Sequence, residues 1–257
     1  MRSVLATRYV TPLREGGSMP AVIEADDEGM YVLKFRGAGQ GPKAQVAEWI
    51  AGELARALGL PVPELVAVEL HDVLALAEPD SEIQDLMRAS LGVNLGLDYL
   101  PGSISFDPAV DRPDAALASA IVWFDAFVMN VDRTARNTNL LVWHRQLTLI
   151  DHGAALYLHH DWETAAERAT SRFPAIKDHV LLPVATQLAD VDERLSGLVT
   201  RALLESLVEA LPADWLQDPF FDSADANRAG YVDLLLRRLA GRAGFVGEAI
   251  DAHARAV

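Results

Sequence analysis

The chain of 257 residues contains no cysteine. That absence excludes a disulfide framework, a catalytic thiol and a cysteine-based zinc site. The sequence also has no apolar run approaching the roughly eighteen residues that a membrane-spanning helix needs, so we expect no membrane partner. The opening residues 1–8 lack the apolar core of a secretory signal, which predicts a cytoplasmic protein.

Basic residues are scarce. The chain has 22 lysines and arginines against 37 aspartates and glutamates, for a formal net charge of −15. A field of this sign repels nucleic-acid backbones, so we expect no nucleic-acid partner. A polyanionic ligand would need a local basic pocket or bound metal ions. The hydrophobic content of 51 % is that of a folded globule with one large domain or two lobes.

The segment Asp132-Arg-Thr-Ala-Arg-Asn137, followed by Asp151-His-Gly153, has the spacing of a phosphoryl-transfer site. In such a site Asp132 would orient or deprotonate an attacking hydroxyl, while Asn137 and Asp151 would hold Mg²⁺ against a nucleoside triphosphate. Residues 140–150 read as a hairpin, which would bring the two metal ligands together. Aspartate and asparagine are also common loop residues. Here they follow buried elements, where a charge costs desolvation unless it is used.

Lys34 is the candidate cation for the phosphates, and it is one of only three lysines. It lies in a predicted strand over residues 30–35, whose alternation places Lys34 opposite a buried face. That face is formed by Tyr31, Leu33 and Phe35. The alternative is an ordinary solvated lysine on an exposed strand face.

A helix is predicted from Pro42 to a stop at Gly59. It offers Glu48 and Glu53 as acidic partners for Lys34, and the apolar stripe of the helix favours Glu53. Upstream, Gly16, Gly17 and Ser18 could expose backbone N–H groups to phosphate or could form a plain turn. The chain has no Walker-type loop.

The remaining pattern predicts a small β-rich N-lobe with one main helix over residues 1–97, a hinge over 98–103 and a mostly helical C-lobe over 104–257. The predicted strands are 21–24, 30–35 and 65–70, and the predicted helices or helical segments are 42–58, 82–88, 116–129, 163–168, 178–188, 192–211 and 228–256. The segment 178–188 is expected to be kinked or broken at Pro183. A turn is predicted over 97–102. His159 and His160 are interpreted as surface histidines, because no further ligands lie at zinc spacing.

With these residues in order, the chain resembles the HipA-like serine/threonine kinases, which share the two-lobe architecture of protein and phosphoinositide kinases. The resemblance covers roughly residues 16–157 and implies an α+β fold. The matching segments are Gly16-Gly-Ser-Met-Pro20, Tyr31-Val-Leu-Lys-Phe35, residues 47–61, Asn130-Val-Asp-Arg133 with Asn137, and Leu149-Ile-Asp-His-Gly153.

The resemblance implies a role for each part of the site. Lys34 would contact the ATP phosphates with Glu48, and not Glu53, as its partner, and Asp132 would be the catalytic aspartate. Asn137 and Asp151 would be the Mg²⁺ ligands. The ATP-binding set would also include the glycine loop at Gly16, Gly17 and Ser18, with Ser18 in a segment autophosphorylated in related toxins, and backbone groups of Asp98, Tyr99 and Leu100 at the adenine.

The chain departs from the family pattern in three places, one of which is the third motif, Asp151-His-Gly153, which is closer to that of lipid and protein kinases. Thr134 stands where the family has a histidine after Asp-Arg, and only fifteen residues precede Gly16, where the toxins carry a long segment. We therefore expect a compact ATP- and Mg²⁺-dependent kinase that acts on a serine or threonine of an unknown protein. A small-molecule acceptor is the nearest variant. A non-catalytic ATP-binding module and a helical structural protein without a ligand are the alternatives from other classes.

Overall fold

The computed structural model describes residues 1–13 and 19–256. The N-terminal part is a closed five-stranded barrel with the strand order β1-β2-β3-β5-β4. Its strands are β1 (Arg2–Pro12), β2 (Ala21–Ala25), β3 (Met30–Lys34), β4 (Leu65–Leu70) and β5 (Gly92–Asp98). Three helices accompany the barrel, namely α1 (Pro42–Ala57), α2 (Asp72–Ala77) and α3 (Ser81–Ala89). We call the barrel and these helices the N-lobe.

Strand β3 is where the barrel meets the candidate site. It pairs with β2 in an antiparallel hairpin and with β5 on its other side. Tyr31 and Leu33 are buried in the barrel, whereas Val32 and Lys34 are only partly buried on the opposite face. The predicted hairpin and the predicted facing of Lys34 are therefore confirmed.

Helix α1 lies between the barrel and the rest of the molecule. It begins at Pro42, which needs no N–H partner in the first turn, and Gly59 follows its end with a φ of 79°. Its buried side chains belong to a core that continues into the C-terminal part. The Trp49 indole Nε1 donates to the backbone oxygen of Leu207 at 2.9 Å. The predicted helix is confirmed, and it contacts both parts of the molecule.

The C-terminal part, or C-lobe, consists of a small sheet and six helices. The strands are β6 (Ile104–Ser105), β7 (Leu140–Trp143) and β8 (Gln146–Leu149). The helices are α4 (Ala115–Val128), α5 (Trp162–Arg168), α6 (Leu188–Ser196), α7 (Arg201–Glu209), α8 (Ala224–Ala240) and α9 (Arg242–Ala256). Short 3₁₀ segments lie at Tyr157–His160, Pro174–Asp178, Leu182–Val184 and Ala213–Trp215. Within the described ranges, no helix is long and apolar enough to cross a membrane.

Helix α4 is the centre of the C-lobe. It is apolar on every side, as expected of a helix buried all round. The Asp114 side chain caps its first turn by accepting from the Leu117 N–H at 2.9 Å. Met129 ends it in the left-handed region with a φ of 57°. The chain is thereby turned directly into the segment that contains Asp132 and Asn137.

The structure corrects four sequence-based predictions. Residues 178–188 do not form a helix, since the chain there runs through two 3₁₀ segments and the start of α6. The single helices predicted over 192–211 and 228–256 are each two helices, separated near Thr200 and at Gly241. The turn predicted over 97–102 begins later, because Leu97 and Asp98 end strand β5.

Candidate active site

Lys34 extends from β3 into the cleft between the two lobes. Its Nζ lies 2.5 Å from Oε2 of Glu48 and 2.6 Å from Oδ1 of Asp151. Burial opposes a positive charge here, but the charges of Glu48 and Asp151 raise the pKa of Lys34 above its ordinary value. The ammonium is therefore charged and held between one carboxylate from each lobe.

Glu48 is fully buried in α1. Burial alone would raise the pKa of its carboxyl group, but the charge of Lys34 and the hydrogen bond with His152 together lower it below the usual range. His152 Nδ1 lies 3.4 Å from Glu48 Oε1. Glu53 instead pairs with Arg56 at 3.3 Å. The preference of the apolar stripe for Glu53 is thus wrong for the contact with Lys34.

A buried ion pair anchors the loop that follows α4. Asp125, in α4, accepts from the Arg133 Nε at 2.5 Å, the Asn130 Nδ2 at 3.1 Å and the His179 Nε2 at 2.9 Å. His179 Nδ1 accepts from the Leu181 N–H, so its proton lies on Nε2. Burial lowers the pKa of His179, which keeps the ring neutral. This network places residues 130–139 against the 3₁₀ segments that follow.

Arg133 also joins the loop to the strand that leads to Asp151. Its guanidinium donates to the backbone oxygen of Asn139 and, at 3.3 Å, to that of Ile150. The Ile150 N–H donates to the Asn139 oxygen at 3.0 Å. Asp151 itself has a φ of 56°, in the left-handed region that non-glycine residues rarely adopt. Such strain persists only where surrounding contacts fix the backbone, as Arg133 does here.

Asp132, in this loop, is partly buried and is not among the residues that line the interlobe cleft. Its Oδ2 accepts from the Asn137 Nδ2 at 2.8 Å and from the Asn139 Nδ2 at 3.3 Å. The structure therefore brings together Asp132 and Asn137, which the motif had paired. The hairpin predicted between Asn137 and Asp151 is confirmed as β7 and β8.

The cleft has a volume of about 720 Å³ and is lined by both apolar and polar residues. The apolar lining includes Val32, Pro63, Leu97, Leu100, Leu141 and Ile150, and the polar lining includes Lys34, Asp98, Asn137, Asn139 and Asp151. A largely apolar cleft with a few polar groups is typical of a small-molecule site.

One backbone donor in the connection between the lobes has no partner among the described residues. The N–H of Asp98 bonds to the Glu64 oxygen at 2.8 Å, and the N–H of Tyr99 bonds to the Met30 oxygen at 2.9 Å. Leu100 also lines the cleft, and none of the described residues accepts from its N–H. Of the three predicted hinge residues, Leu100 is therefore the one whose N–H has no acceptor in the described part of the chain.

Oxygen donors for a metal come from two segments. Asn137 and Asp151 both line the cleft, one from the loop after α4 and the other after β8. In the described part of the chain, no group of three or more histidine, cysteine, aspartate or glutamate side chains could hold a metal ion. A metal here would need most of its ligands from a phosphate-bearing ligand and water. That requirement fits Mg²⁺, which keeps several waters and binds one or two protein oxygens beside phosphates.

Two sequence-based predictions concern residues elsewhere. Gly16, Gly17 and Ser18 lie outside the described residues. Thr11 to Leu13 and Pro20, on either side of that segment, line the cleft. The interpretation of His159 as a surface histidine is wrong, because it is fully buried and its Nδ1 lies 3.1 Å from the Tyr231 hydroxyl.

Sequence reasoning missed three residues of the site. Asn139 contacts Asp132, His152 contacts Glu48, and His179 contacts Asp125. Asn139 carried a usable signal, as a second amide two positions after Asn137 and just before a strand, and His152 stands next to Asp151 in the predicted motif. His179 lies 54 residues from its partner, and no spacing rule connects them.

Two solved structures share this architecture. A proinflammatory kinase of Helicobacter pylori, CtkA, is 11 % identical with a TM-score of 0.55, and the match covers 97 % of this chain and 98 % of that one. A Golgi casein kinase with Mn/ADP bound is 12 % identical with a TM-score of 0.55, over 99 % of this chain and 75 % of that one. No curated protein matches the chain. These likenesses show a bilobal α+β fold of the protein-kinase type.

The family follows from a match over most of the sequence. The model of the HipA-like kinase family matches residues 7–239, which include both lobes and the cleft. The chain therefore belongs to the HipA-like kinase family and is a kinase.

Proposed function

We propose that the protein is an ATP- and Mg²⁺-dependent kinase that phosphorylates a serine or threonine hydroxyl of a protein. One observation carries the proposal. The ammonium of Lys34 lies within 2.6 Å of Asp151, and Asn137 from a separate loop lines the same cleft. A cation and two oxygen donors thus surround the space that a triphosphate would fill.

The apolar lining of the cleft is suited to adenine. Val32 contributes to it from the N-lobe and Leu141 from the C-lobe, and the Leu100 N–H, which has no acceptor among the described residues, would donate to a ring nitrogen. A base in this slot directs its phosphates toward Lys34. The Golgi casein kinase of similar fold, which holds Mn/ADP, supports a nucleotide at this place.

The donor set suits a hard divalent cation. Asn137 and Asp151 offer amide and carboxylate oxygens, which Mg²⁺ prefers over nitrogen or sulfur. When bound, Mg²⁺ would neutralise charge on the β- and γ-phosphates. Asp151 would hold it from the strand end and Asn137 from the loop.

Asp132 is the candidate catalytic residue. It would accept the hydrogen bond of the attacking hydroxyl and take its proton as the hydroxyl oxygen bonds to the γ-phosphorus. The bond from that phosphorus to the bridging oxygen breaks, and ADP leaves. Lys34 would stabilise the phosphate charge, while Glu48 keeps Lys34 in place. The residues thus act mainly by positioning and by charge stabilisation.

The test separates nucleotide binding from transfer. Mg-AMP-PNP should raise the melting temperature of the wild-type protein, and the rise should shrink without Mg²⁺. Labelled phosphate from γ-³²P-ATP should appear on the protein itself or on serine-containing casein. Asp132→Asn should reduce that label about a thousandfold or more, but it should retain the thermal shift.

Each other result has a meaning. A thermal shift without transfer to any acceptor would favour a non-catalytic binding module. Transfer confined to a small hydroxylated compound would favour a small-molecule kinase. No shift at all would overturn the proposal.

A further inference from the structure

Two amides converge on one oxygen of the catalytic candidate. The Asn137 Nδ2 donates to Asp132 Oδ2 at 2.8 Å, and the Asn139 Nδ2 donates to the same oxygen at 3.3 Å. A carboxylate can only accept, so the nitrogen of each amide, and not its oxygen, faces Asp132. Asn137 has a role in the proposed function as a metal ligand. Asn139 has none.

Asn139 is fixed more firmly than a loop residue usually is. Its φ of 47° lies in the left-handed region, which asparagine tolerates better than most residues. Its backbone oxygen accepts from the Ile150 N–H and from the Arg133 guanidinium. Only 9 % of its surface is exposed, and it lines the cleft. Its side chain therefore starts from an anchored point and reaches Asp132.

We propose that Asn139 is a second positioning residue for Asp132 in phosphoryl transfer; this inference rests on the proposed function. The two amides occupy Oδ2, and none of the described residues donates to Oδ1. Oδ1 is thus the oxygen presented to the acceptor hydroxyl. Holding the carboxylate in one rotamer increases the fraction of complexes with the hydroxyl aligned on the γ-phosphorus.

The two amides are not redundant under this proposal. When Asn137 binds a metal through its oxygen, its side chain can shift with the coordination geometry. Asn139 is held by protein contacts alone, so its hydrogen bond to Asp132 stays the same with and without metal. Asn139 therefore fixes the carboxylate independently of the metal site.

The test is the variant Asn139→Gly. Glycine adopts a positive φ without strain, so the backbone keeps its conformation while the amide is lost. We expect the rate of phosphate transfer from Mg-ATP at saturation, kcat, to fall about tenfold, as for loss of one hydrogen bond to a charged group. The KM for ATP should stay within about twofold, because Asn139 holds Asp132 and not the nucleotide.

A second variant and a control complete the test. Asn139→Asp keeps the size of the side chain but removes the donor, and kcat should fall at least as far. His144→Gly relieves another positive φ, of 48°, in the exposed turn between β7 and β8, and should leave kcat unchanged. A purely structural role for Asn139 would give equal kcat in the wild type and Asn139→Gly.

The outcomes separate this inference from the proposed function. Wild-type kcat in Asn139→Gly, or a raised KM with unchanged kcat, would overturn the inference while the kinase remains active. Failure of the wild-type protein to bind Mg-ATP would overturn the proposed function, and the inference with it.

Discussion

At the scale of single residues, Glu48 joins helix α1 to the cleft. One of its oxygens faces the Lys34 ammonium and the other faces His152. Because Asp151 also contacts Lys34, the position of the ammonium depends on two carboxylates from different lobes. Among the described residues, removing the charge of Glu48 would leave Asp151 as the only counterion of Lys34.

The variant Glu48→Gln tests this arrangement. It keeps the shape of the side chain but removes the charge, so Lys34 should shift toward Asp151 and bind phosphates less well. We expect the Kd for Mg-ADP, measured by titration calorimetry, to rise about tenfold. The matched control is Glu53→Gln on the same helix, whose contact with Arg56 is a surface ion pair. An equal loss of affinity in both variants would contradict the assignment of Glu48.

At the scale of elements, how well a helix or strand can be predicted from the sequence depends on what buries it. Helix α1 has a proline start, a glycine stop and apolar spacing, and the sequence reveals all three. The same helix is buried on both sides, between barrel and C-lobe. It has no polar face that could distinguish Glu48 from Glu53. The position of the apolar stripe therefore predicts the wrong glutamate for the contact with Lys34.

Strand β5 escaped prediction for a different reason. Its sequence contains Gly92, Asn94 and Gly96, which are all disfavoured in strands. The buried Asn94 amide is satisfied by backbone groups of Ser90, Gly92 and Arg36. A Cβ at Gly96 would lie 2.6 Å from the Val68 side chain. Contacts with residues that are distant in the sequence therefore explain why β5 has glycine and asparagine at these positions. The local sequence does not show which segments will make those contacts. The Asp132–Asn137 motif, by contrast, is local and was visible.

The 3₁₀ segment Tyr157–His160 carries a pH-dependent contribution to stability. Burial lowers the pKa of His159 to about 3, from an ordinary value of 6.5. The unfolded chain therefore binds a proton that the folded chain does not between those two pH values. The free energy of unfolding therefore falls as the pH drops below about 6.5, and this effect of His159 reaches its full size near pH 3.

The variant His159→Gln tests that contribution. The free energy of unfolding, measured with urea, should be lower at pH 5 than at pH 7. This decrease should be about 2 kcal/mol larger in the wild type than in His159→Gln. The control variant is His71→Gln, at an exposed position. Identical pH dependence in the wild type and His159→Gln would contradict the effect of burial.

At the scale of the whole molecule, the two lobes share the larger of two buried apolar clusters, while the smaller cluster lies inside the barrel. The shared cluster includes residues of α1 and β5 together with residues of α4, α6, α8 and α9. The Trp49 indole bonds to Leu207 across the boundary, and the Trp215 indole donates to the Val93 oxygen at 3.1 Å. Separating the lobes would therefore expose apolar surface on both of them.

We therefore expect the lobes to unfold together. Tryptophan fluorescence and far-ultraviolet circular dichroism should give the same urea midpoint. Trp49→Phe should lower the free energy of unfolding by about 1 kcal/mol more than Trp162→Phe, because the Trp162 Nε1 has no partner among the described residues. Two separate transitions, or equal losses in the two variants, would contradict a shared core.

The double pairing of Lys34 has a consequence for ligand entry. Among the described residues, the ammonium has two negative partners, one from α1 and one from the end of β8. Under the proposed function, a triphosphate would reach the ammonium by ion exchange, in which Asp151 gives up the ammonium as it takes a cation of its own. Because two carboxylates outweigh one ammonium, free nucleotide would meet an excess of negative charge, and free metal would compete with the ammonium for Asp151. Nucleotide and metal together would supply an opposite charge to each group.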